Sequence, residues 1–422
     1  MKSGQARMNI LYINHYAGSP ALGMEYRPYY LAREWVRLGH RVQLLAADHS
    51  HVRARQPVRH PQPQAAGSAP GDEAIAGIAY RWYATPAYQG NGLGRVKNIW
   101  AFLRGVWADT PRLLREFQPD VVIASSTYPM DIWVARRLAR RAGARLVYEV
   151  HDLGPLRPIE LSGMSPRHPF ALLCQKAQND AYRDADMVVS MLPRVHGHMA
   201  AHGLDLRKLH IVPNGIALDE WQGTPPAVRG DVAQALAGAR AAGQTLMGYA
   251  GSMGLPNALD TLLDAAALLR DAAVHIIMVG DGHERARLAQ RVASEGLHKV
   301  TMLPPIPKAQ VPALLAGVDI ATLAWQRVPI YRFGIAPNKL MDYMMAGVPV
   351  LHAVDAGNDP VAEAGCGLTV PPESPAAMAD GLLRLAALPA AERLAMGARG
   401  RAFVLAHHTY PVLAQRFLNA LP

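Results

Sequence analysis

The sequence has only two cysteines, Cys174 and Cys366, among its 422 residues. Two cysteines cannot form a disulfide framework or supply the thiolate ligands of a metal cage. No apolar run reaches the roughly 18 residues that a membrane-spanning helix needs, and the first segment, MKSGQARMNILYIN, lacks the cleavage pattern of a signal peptide. Charged residues are also few, at 18%, whereas half of the residues are apolar, which excludes disorder for most of the chain. We therefore expect a folded, cytoplasmic protein.

The positive charge of the chain is concentrated in its first half. Residues 1–222 hold 27 of the 43 Lys and Arg and 18 of the 33 Asp and Glu, so they carry +9 of the net +10. A basic half chain indicates an anionic partner, such as a phospholipid surface, a phosphate-bearing acceptor or nucleic acid. The alternative is that the arginine-rich composition has no functional meaning.

Short apolar segments alternate with amphipathic helical segments along this first half. Near-continuous apolar strands separated by helices are typical of a parallel sheet that is covered on both faces. We therefore predict an α/β domain over residues 1–222, with a loop over residues 49–74, where no periodicity is present. The predicted strands cover residues 9–14, 41–47, 78–85, 120–126, 145–152, 187–192 and 209–215.

The alternation stops at a cluster of turn-forming residues and then starts again. The second set of strands predicts another α/β domain over residues 223–402, followed by a terminal helix over residues 403–422 that is expected to pack back on the first domain. Doubly wound sheets bind ligands at the carboxyl ends of their strands. We therefore expect the site in a cleft between two Rossmann-like domains. The second set covers residues 246–251, 274–282, 300–306, 319–324 and 348–354.

The segment APNKLMDYMMAG indicates a helix whose start can bind an anion. Asn338 or the residue before it can cap this helix, Pro337 suits its first turn, and Gly347 ends it. Free backbone N–H groups at such a helix start attract an anion, and Lys339 adds a positive charge there. One turn further on, Asp342 could accept hydrogen bonds from a ribose. The alternative is an ordinary capped helix with Asp342 in solvent.

Two glycine-rich turns follow predicted strands in the second domain. Gly251 and Ser252 begin the segment GSMG, whose glycines allow a backbone to approach a phosphate. The segment lacks the third glycine of a dinucleotide-binding fingerprint, so it is weak evidence for NAD or FAD. The later segment GDG is explained more simply as a turn.

Together these motifs resemble the retaining glycosyltransferases of family 4, which have the GT-B fold. The resemblance rests on LAREWVRLGHRV, EVHD, VPNG, the GDG turn and the helix that ends in AGVPV, in this order over nearly the whole chain. The segments GMEYRPYYLA and APNKLMDYMMAG are most similar to a bacterial branch used in O-antigen and capsule assembly. That branch includes transferases of fucosamine-type sugars.

The resemblance implies donor-binding roles in the second domain. Members usually hold two glutamates separated by seven residues, and the second of them binds the donor ribose. Asp342 stands at the second position and Gly334 at the first, so the first position has no acid. The Arg and Lys with which the family clamps the diphosphate are also missing, because Gly251, Ser252 and Asn257 occupy that stretch.

Another cation is therefore expected to hold the diphosphate. Lys339 and the amides of the segment Pro337-Asn338-Lys339 are the preferred replacement, and Arg327 and Arg332 are the weaker candidates.

The resemblance also implies roles for residues nearer the reacting sugar. His151, at the end of the strand in YEVHD, matches the family histidine beside that sugar; the alternative is a packing residue. Gly23, Met24 and Glu25 match the glycine-containing loop that approaches the donor phosphates and the acceptor, whereas Glu25 as a helix-capping acid is the simpler interpretation. Ile306 stands where the backbone of the family usually contacts the base.

No catalytic metal and no cofactor besides the donor are expected. Asp184 and Asp186 have the spacing of a metal-binding DxD motif but lie at a helix-to-strand junction, and His196 and His198 have no carboxylate cluster near them in the sequence. The leaving diphosphate can instead be stabilised by a helix start and a lysine.

The activity implied is that of a retaining glycosyltransferase. It would move a sugar, by its branch an N-acetylated aminosugar, from a UDP-sugar to a lipid-linked or glycan acceptor of bacterial surface polysaccharide. The alternatives are a sugar-nucleotide epimerase or a phosphorylase of the same fold, and a non-enzymatic protein that binds anionic lipid or nucleic acid. For a sugar transferase, nucleic acid is not expected as a partner.

The basic first domain is expected to dock reversibly on the anionic inner membrane. Five arginines cluster around one predicted helix, and the local sequence offers them few partners; they are Arg136, Arg137, Arg140, Arg141 and Arg145. A neighbouring helix carries Trp100, Leu103 and Trp107 on one face. This aromatic stripe packs into the domain core in the simpler interpretation.

Overall fold

The computed structural model of the chain divides into two compact units. Unit one comprises Met1–Pro213 and Tyr410–Pro422, and unit two comprises Asn214–Thr409. The described residues are 6–58, 72–90, 92–151 and 153–422. The middle of the predicted loop over 49–74, and Asp152 of the segment YEVHD, lie outside them.

The division between the units precedes the predicted one, which followed residue 222. Ile216 already belongs to unit two, because its backbone N–H donates to the carbonyl of His408 at 2.7 Å. The chain also returns to unit one at Tyr410 rather than at residue 403. The predicted boundary depended on turn-forming residues, which mark where strands end but not the unit to which the following segment bonds.

Unit one contains a sheet in the order β3-β4-β2-β1-β5-β6-β7-β8 over the described residues. All neighbouring strands run parallel except β3 and β4, which pair antiparallel. The interior strands are buried along nearly their whole length, as expected for a parallel sheet covered on both faces. The strands are β1 (Asn9–Ile13), β2 (Arg41–Ala47), β3 (Asp72–Ile75), β4 (Ile78–Tyr83), β5 (Val121–Ala124), β6 (Arg145–Val150), β7 (Met187–Ser190) and β8 (Leu209–Ile211).

The helices of unit one include the last helix of the chain. This helix, α15, packs on α1: the rings of Phe417 and Trp35 lie 5.0 Å apart, and the Trp35 indole N–H donates to the carbonyl of Ala414 at 3.2 Å. The helices are α1 (Arg27–Arg37), α2 (Leu93–Glu116), α3 (Asp131–Ala142), α4 (Leu156–Ser162), α5 (Pro169–Asp184), α6 (His196–Ala201) and α15 (Tyr410–Asn419).

Unit two contains a parallel sheet in the order β11-β10-β9-β12-β13-β14, with every residue of the unit described. Its strands are β9 (Thr245–Ala250), β10 (Val274–Val279), β11 (Val300–Leu303), β12 (Ile320–Ala324), β13 (Val350–Ala353) and β14 (Gly367–Val370). Its helices are α7 (Gly230–Ala241), α8 (Leu259–Leu268), α9 (Arg285–Ser294), α10 (Val311–Ala316), α11 (Asn338–Ala346), α12 (Pro360–Ala364), α13 (Pro375–Ala387) and α14 (Ala390–His407).

Two short strands, β3 and β14, were not predicted. β3 lies at the end of the segment interpreted as loop and joins β4 through a two-residue turn at Ala76 and Gly77, both with positive φ. Arg81 of β4 pairs with Asp72 of β3 at 2.7 Å. Such short strands are stabilised by their partners rather than by a periodicity of their own.

The helices α2 and α3 show which residues of the basic and aromatic surface are exposed. Leu103 is buried, but Trp100 and Trp107 are 38% and 45% exposed, so the stripe does not pack into the core as a whole. The local sequence offers these arginines few partners, but three of them have contacts with other helices, Arg140 included at 3.9 Å from Asp184. Arg136 pairs with Asp184 at 2.5 Å, and the Arg137 guanidinium lies 4.0 Å from the centroid of the Trp107 ring. These contacts come from α5 and α2, which the local sequence around α3 does not include.

Among the described residues, no helix is both long enough and apolar enough to cross a bilayer.

Candidate functional site

In unit one, polar side chains follow the carboxyl ends of three neighbouring strands. Asn14 comes directly after β1, Ser125 after β5 and His151 after β6. Because these strands are adjacent in the sheet, the side chains meet: Ser125 Oγ lies 2.8 Å from His151 Nε2, and Asn14 Nδ2 donates to the Ser125 carbonyl at 2.5 Å. His151 therefore lies at the edge where sheets of this type bind ligands.

The carboxylate of Glu149 lies beside His151, since alternate residues of a strand point to the same face. Its Oε2 accepts hydrogen bonds from Tyr12 Oη at 2.5 Å and Ser125 Oγ at 2.6 Å, and it lies 3.3 Å from His151 Nε2. Its Oε1 accepts two bonds from Arg27, at 3.0 Å and 2.9 Å. Both members of this ion pair are buried, so the pair needs these bonds to offset the loss of water.

These contacts shift the pKa values of both groups. Burial raises the pKa of Glu149, but the charge of Arg27 and the hydrogen bonds of His151 and Ser125 lower it by a larger amount. The pKa of Glu149 therefore lies well below its usual range. Burial lowers the pKa of His151, but the hydrogen bond and charge of Glu149, with a smaller contribution from Glu25, raise it above its usual value. His151 therefore keeps its second proton to a higher pH than an ordinary histidine.

The loop between β1 and α1 holds three of the predicted residues. Gly23 has a φ of +103°, and a Cβ on it would lie 2.7 Å from the backbone nitrogen of Ala54, so this position requires glycine. Met24 is 44% exposed. Glu25 is close enough for its charge to raise the pKa of His151. The loop thus brings a carboxylate toward the histidine.

In unit two, the turn that contains Gly251 and Ser252 packs against the GDG turn. A Cβ on Gly280 would lie 1.9 Å from the carbonyl oxygen of Gly251, so the two turns approach more closely than any side chain allows. The carbonyl of Ser252 accepts from Tyr249 Oη at 2.5 Å and from Asn257 Nδ2 at 2.9 Å. This packing therefore explains Gly280 and also Gly282, on which a Cβ would lie 2.3 Å from the carbonyl oxygen of Met253.

Lys339 extends from α11 toward this turn. Its Nζ lies 3.2 Å from Tyr249 Oη and donates to Asn257 Oδ1, and it lies 5.1 Å and 5.5 Å from the ring centroids of Tyr249 and Trp325. No carboxylate of unit two, all of which is described, pairs with it. Burial lowers the pKa of Lys339 to about 8. The result is a partly buried cation without a counter-charge, which is unusual unless a ligand supplies one.

The start of α11 adds partial positive charge near Lys339. The helix begins at Asn338, Pro337 is its N-cap residue, and no side chain of unit two, described in full, caps the first-turn amides. Gly347 ends the helix in the left-handed conformation, as the sequence predicted. The free amides and Lys339 together form a site that attracts an anion.

Asp342 lies one turn further along α11 and is partly buried rather than in solvent. Burial raises the pKa of its carboxyl to about 7; Lys308 and a hydrogen bond from Trp221 lower it, and Glu220 raises it. Asp342 therefore changes its protonation state near neutral pH.

Three further candidates of unit two have contacts other than those of Lys339. Ile306 is partly buried and packs against the core of unit two. Arg327 pairs with Asp355 at 3.7 Å, and Arg332 donates to the carbonyl of Pro329 at 2.6 Å. Among the predicted cations, Lys339 is thus the one that reaches Gly251 and its neighbours.

Comparison with known proteins agrees with the division of the chain into two units. A model of the glycosyl transferase 4-like domain matches residues 23–215, and a model of the glycosyl transferases group 1 matches residues 244–387. Each unit is therefore a glycosyltransferase domain. The matched ranges include His151 in the first domain, and Lys339 and Asp342 in the second.

One curated relative and two solved structures illustrate the similarity of this glycosyltransferase. WcaI of Escherichia coli (strain K12), which is named as a colanic acid biosynthesis glycosyl transferase, is 24% identical over 281 residues, 65% of this chain and 68% of that protein. Sucrose-phosphate synthase from Thermosynechococcus elongatus has a TM-score of 0.71 at 18% identity and covers 98% of both chains. Anabaena HepE in complex with UDP-glucose has a TM-score of 0.66 at 16% identity, over 98% of this chain and 99% of its own. The expected GT-B fold is thereby confirmed.

Both domains of the glycosyltransferase contain residues beside the candidates that the sequence motifs do not reveal. In the first domain, Glu149 lies beside His151 and pairs with Arg27. The available signal was a glutamate inside an otherwise apolar strand. In the second, Tyr249 and Trp325 surround Lys339. Trp325 directly follows β12, and its indole N–H bonds to His352 Nε2 at 3.0 Å, but no spacing in the sequence connects it with Lys339.

The two aspartates with the spacing of a DxD motif have other contacts. Asp184 pairs with Arg136 and Arg183, and Asp186 accepts from the backbone N–H of Leu146 at 2.7 Å. Over the part of the chain that the structure describes, no group of three His, Cys, Asp or Glu side chains is arranged to hold a metal ion.

Proposed function

We propose that the protein transfers a sugar from a UDP-sugar to a lipid-linked or glycan acceptor during the assembly of a bacterial surface polysaccharide. The observation that carries this proposal is Lys339, a cation with no carboxylate partner in fully described unit two, at the start of α11. The name of the relative WcaI refers to colanic acid, and the HepE crystals contain UDP-glucose. Both support a sugar-nucleotide donor and a polysaccharide product.

The donor diphosphate is proposed to bind at the start of α11. Lys339 supplies a full charge, and the amides of Asn338 and Lys339, behind Pro337, supply partial charges. The turn that contains Gly251 and Ser252 faces Lys339, and these two small residues let its backbone approach the phosphates. Held in this way, the leaving diphosphate needs no metal ion and no cofactor. The base is proposed to contact the backbone at Ile306.

The chemistry that we propose retains the configuration of the transferred sugar. The bond between the anomeric carbon and the phosphate oxygen breaks, and the acceptor oxygen forms its bond on the same face. The acceptor proton passes to the departing phosphate oxygen. His151 orients and polarises the sugar, and Gly23, Met24 and Glu25 contact the acceptor side.

The donor sugar is proposed to be an N-acetylated aminosugar, because the GMEYRPYYLA and APNKLMDYMMAG segments resemble the branch that transfers such sugars. A panel of UDP-sugars tests this and the proposed activity together. The bound donor should raise the unfolding temperature by mass action, and radiolabel from it should move to a lipid or glycan fraction. Formation of an epimerised UDP-sugar or a sugar phosphate in place of transfer would contradict the proposal.

The carboxylate of Asp342 is expected to bind the donor ribose. Asp342→Ala should weaken UDP binding by about 1.5 to 3 kcal/mol, because a hydrogen bond to a charged group is lost. Since its pKa is about 7 and the ribose hydroxyls favour the ionised form, the affinity for uridine, which has no phosphate to titrate, should fall as the pH drops below 7. Titration calorimetry measures both effects, with the exposed Asp380→Ala as control. An unchanged UDP affinity would exclude this role.

A peripheral position on the cytoplasmic face of the inner membrane is also proposed for the first domain. Trp100 and Trp107 are exposed on α2, and Arg140 on α3 is 70% exposed in its side chain with only a 3.9 Å contact to Asp184. Each basic side chain contributes about 1 kcal/mol near an anionic surface, over about one Debye length.

We expect the protein to sediment with anionic vesicles and less well with neutral ones, with binding that weakens in high salt. Arg140→Gln and Trp100→Ser should each reduce this binding. The control is Arg384→Gln, because Arg384 in unit two is 64% exposed in its side chain. Equal binding to both vesicle types, or none to either at low salt, would remove the proposed membrane contact.

A further inference from the structure

The hydrogen bonds around His151 determine which of its ring nitrogens carries the proton. Ser125 Oγ lies 2.6 Å from Glu149 Oε2 and 2.8 Å from His151 Nε2. Ionised Glu149 can only accept, so the single hydroxyl proton of Ser125 is donated to it across the shorter contact. Ser125 Oγ must then accept from the histidine, and this requires a proton on Nε2.

Two further contacts agree with this assignment. Asn14 Nδ2, which can only donate, lies 3.3 Å from Ser125 Oγ, so the hydroxyl oxygen already acts as an acceptor. Glu149 Oε2 lies 3.3 Å from His151 Nε2 and offers the same ring atom a second acceptor. A lone pair on Nε2 would face the lone pairs of this carboxylate.

We propose that Glu149 is the positioning residue of His151. Together with Ser125, Glu149 keeps the ring proton on Nε2 and directs Nδ1 to the substrate. Nδ1 has no hydrogen-bond partner among the residues that the structure describes. The inference rests on the proposed function, because it names the atom of His151 that contacts the transferred sugar. The inference can nevertheless be tested apart from that function, because the proton on the His151 ring has its position in the absence of substrate.

The position of the proton decides what Nδ1 can bind. In the neutral ring, Nδ1 carries a lone pair and accepts a hydrogen bond from a sugar hydroxyl. In the doubly protonated ring, Nδ1 donates to a hydroxyl oxygen. In both forms the partner that fits is a hydroxyl group, which can donate or accept.

The charges that face the ring come from several elements. Glu149 on β6, Glu25 before α1 and Asp131 at the start of α3 are acidic, and Arg27 on α1 is bonded to Glu149. The hydrogen bond and charge of Glu149 are the largest contributions that raise the pKa of His151. Neutralising Glu149 should therefore let the ring lose its second proton at a lower pH.

Nitrogen-15 NMR of the full chain labelled at histidine tests the inference directly. The His151 signals are identified by their loss in His151→Gln. We expect the Nε2–H tautomer in the wild type, and a titration displaced to lower pH in Glu149→Gln. The Nδ1–H tautomer in the wild type, or an unchanged titration in Glu149→Gln, would overturn the inference.

Ser125→Ala provides a second test that changes no charge, in case Glu149→Gln does not fold. Without the hydroxyl acceptor, the His151 signals should show a smaller fraction of the Nε2–H tautomer; an unchanged fraction contradicts the role of Ser125. The control is Glu116→Gln, which removes a carboxylate from an exposed pair with Arg112 on α2 and should leave His151 unchanged.

Kinetics separate this inference from the proposed function. Turnover should fall about tenfold in Glu149→Gln, with UDP affinity unchanged and the pH profile of turnover displaced to lower pH. A displaced NMR titration in a protein that transfers no sugar would support the positioning of His151 and contradict the proposed function. Transfer at the wild-type rate and with the wild-type pH profile in Glu149→Gln would contradict the positioning alone.

Discussion

Replacing Lys339 by methionine is expected to weaken UDP binding by about 1.5 to 3 kcal/mol, or roughly 10- to 150-fold in the dissociation constant. Methionine keeps most of the side-chain length and removes the charge. In the wild type the Nζ of Lys339 bonds to Tyr249 Oη and Asn257 Oδ1, which are both neutral, and the proposed function makes the donor diphosphate its counter-charge. Titration calorimetry with UDP measures the change.

The matched control is Lys299→Met. Lys299 directly precedes β11, at the opposite edge of the same sheet from the turn at Gly251, so its loss should leave UDP binding unchanged. An unaltered UDP affinity in a folded Lys339→Met variant would remove the diphosphate site from the start of α11 and with it the main support for the proposed function.

The same lysine should also give UDP binding a characteristic pH dependence. Burial lowers the pKa of Lys339 to about 8 in the free protein, and a bound diphosphate would raise it again. Binding then takes up a proton as the pH passes 8, so UDP affinity should fall as the pH rises from 8 to 9. Lys339→Met should lack this fall.

Replacing Arg27 by methionine is expected to destabilise unit one by about 3 to 5 kcal/mol, because it leaves Glu149 as a buried charge without its counter-ion. Urea denaturation followed by tryptophan fluorescence measures this loss, and five of the seven tryptophans lie in unit one. Arg112→Met, which breaks an exposed pair with Glu116, is the control and should cost less than about 1 kcal/mol.

The sign of the pH effect identifies the cause. In the wild type the pKa of Glu149 is held below its usual range, so this group contributes stability that is lost as the pH falls. In Arg27→Met, burial raises the pKa of Glu149 above its value in the unfolded chain, so the variant loses stability as the pH rises. The difference between the two proteins should therefore be larger at pH 8 than at pH 5.

A double variant completes this test. Arg27→Met combined with Glu149→Gln removes both charges and should recover part of the lost stability, because no unpaired charge is left buried. A loss in Arg27→Met that stays the same from pH 5 to pH 8, with no recovery in the double variant, would show that the packing of Arg27 rather than its charge stabilises this region.

The sequence by itself determined the architecture of each unit. Strand and helix alternation is a local pattern that depends on which residues are apolar, so it predicted two parallel sheets and most of their strands. The end of α11 at Gly347 followed from the conformational freedom of glycine. The position of His151 at the carboxyl end of β6 followed in the same way, because it depends only on where one apolar run stops.

Only the tertiary structure decided which charges have partners. Glu149 and Arg27 are 122 residues apart in the chain, and Lys339 reaches Asn257 from 82 residues away, so no spacing reveals either contact. The same holds for the arginines of α3, of which Arg136 is neutralised from α5. Whether a charged group is paired, buried or free for a ligand depends on the segments that fold around it, and so do the pKa values from which the behaviour of both sites is predicted.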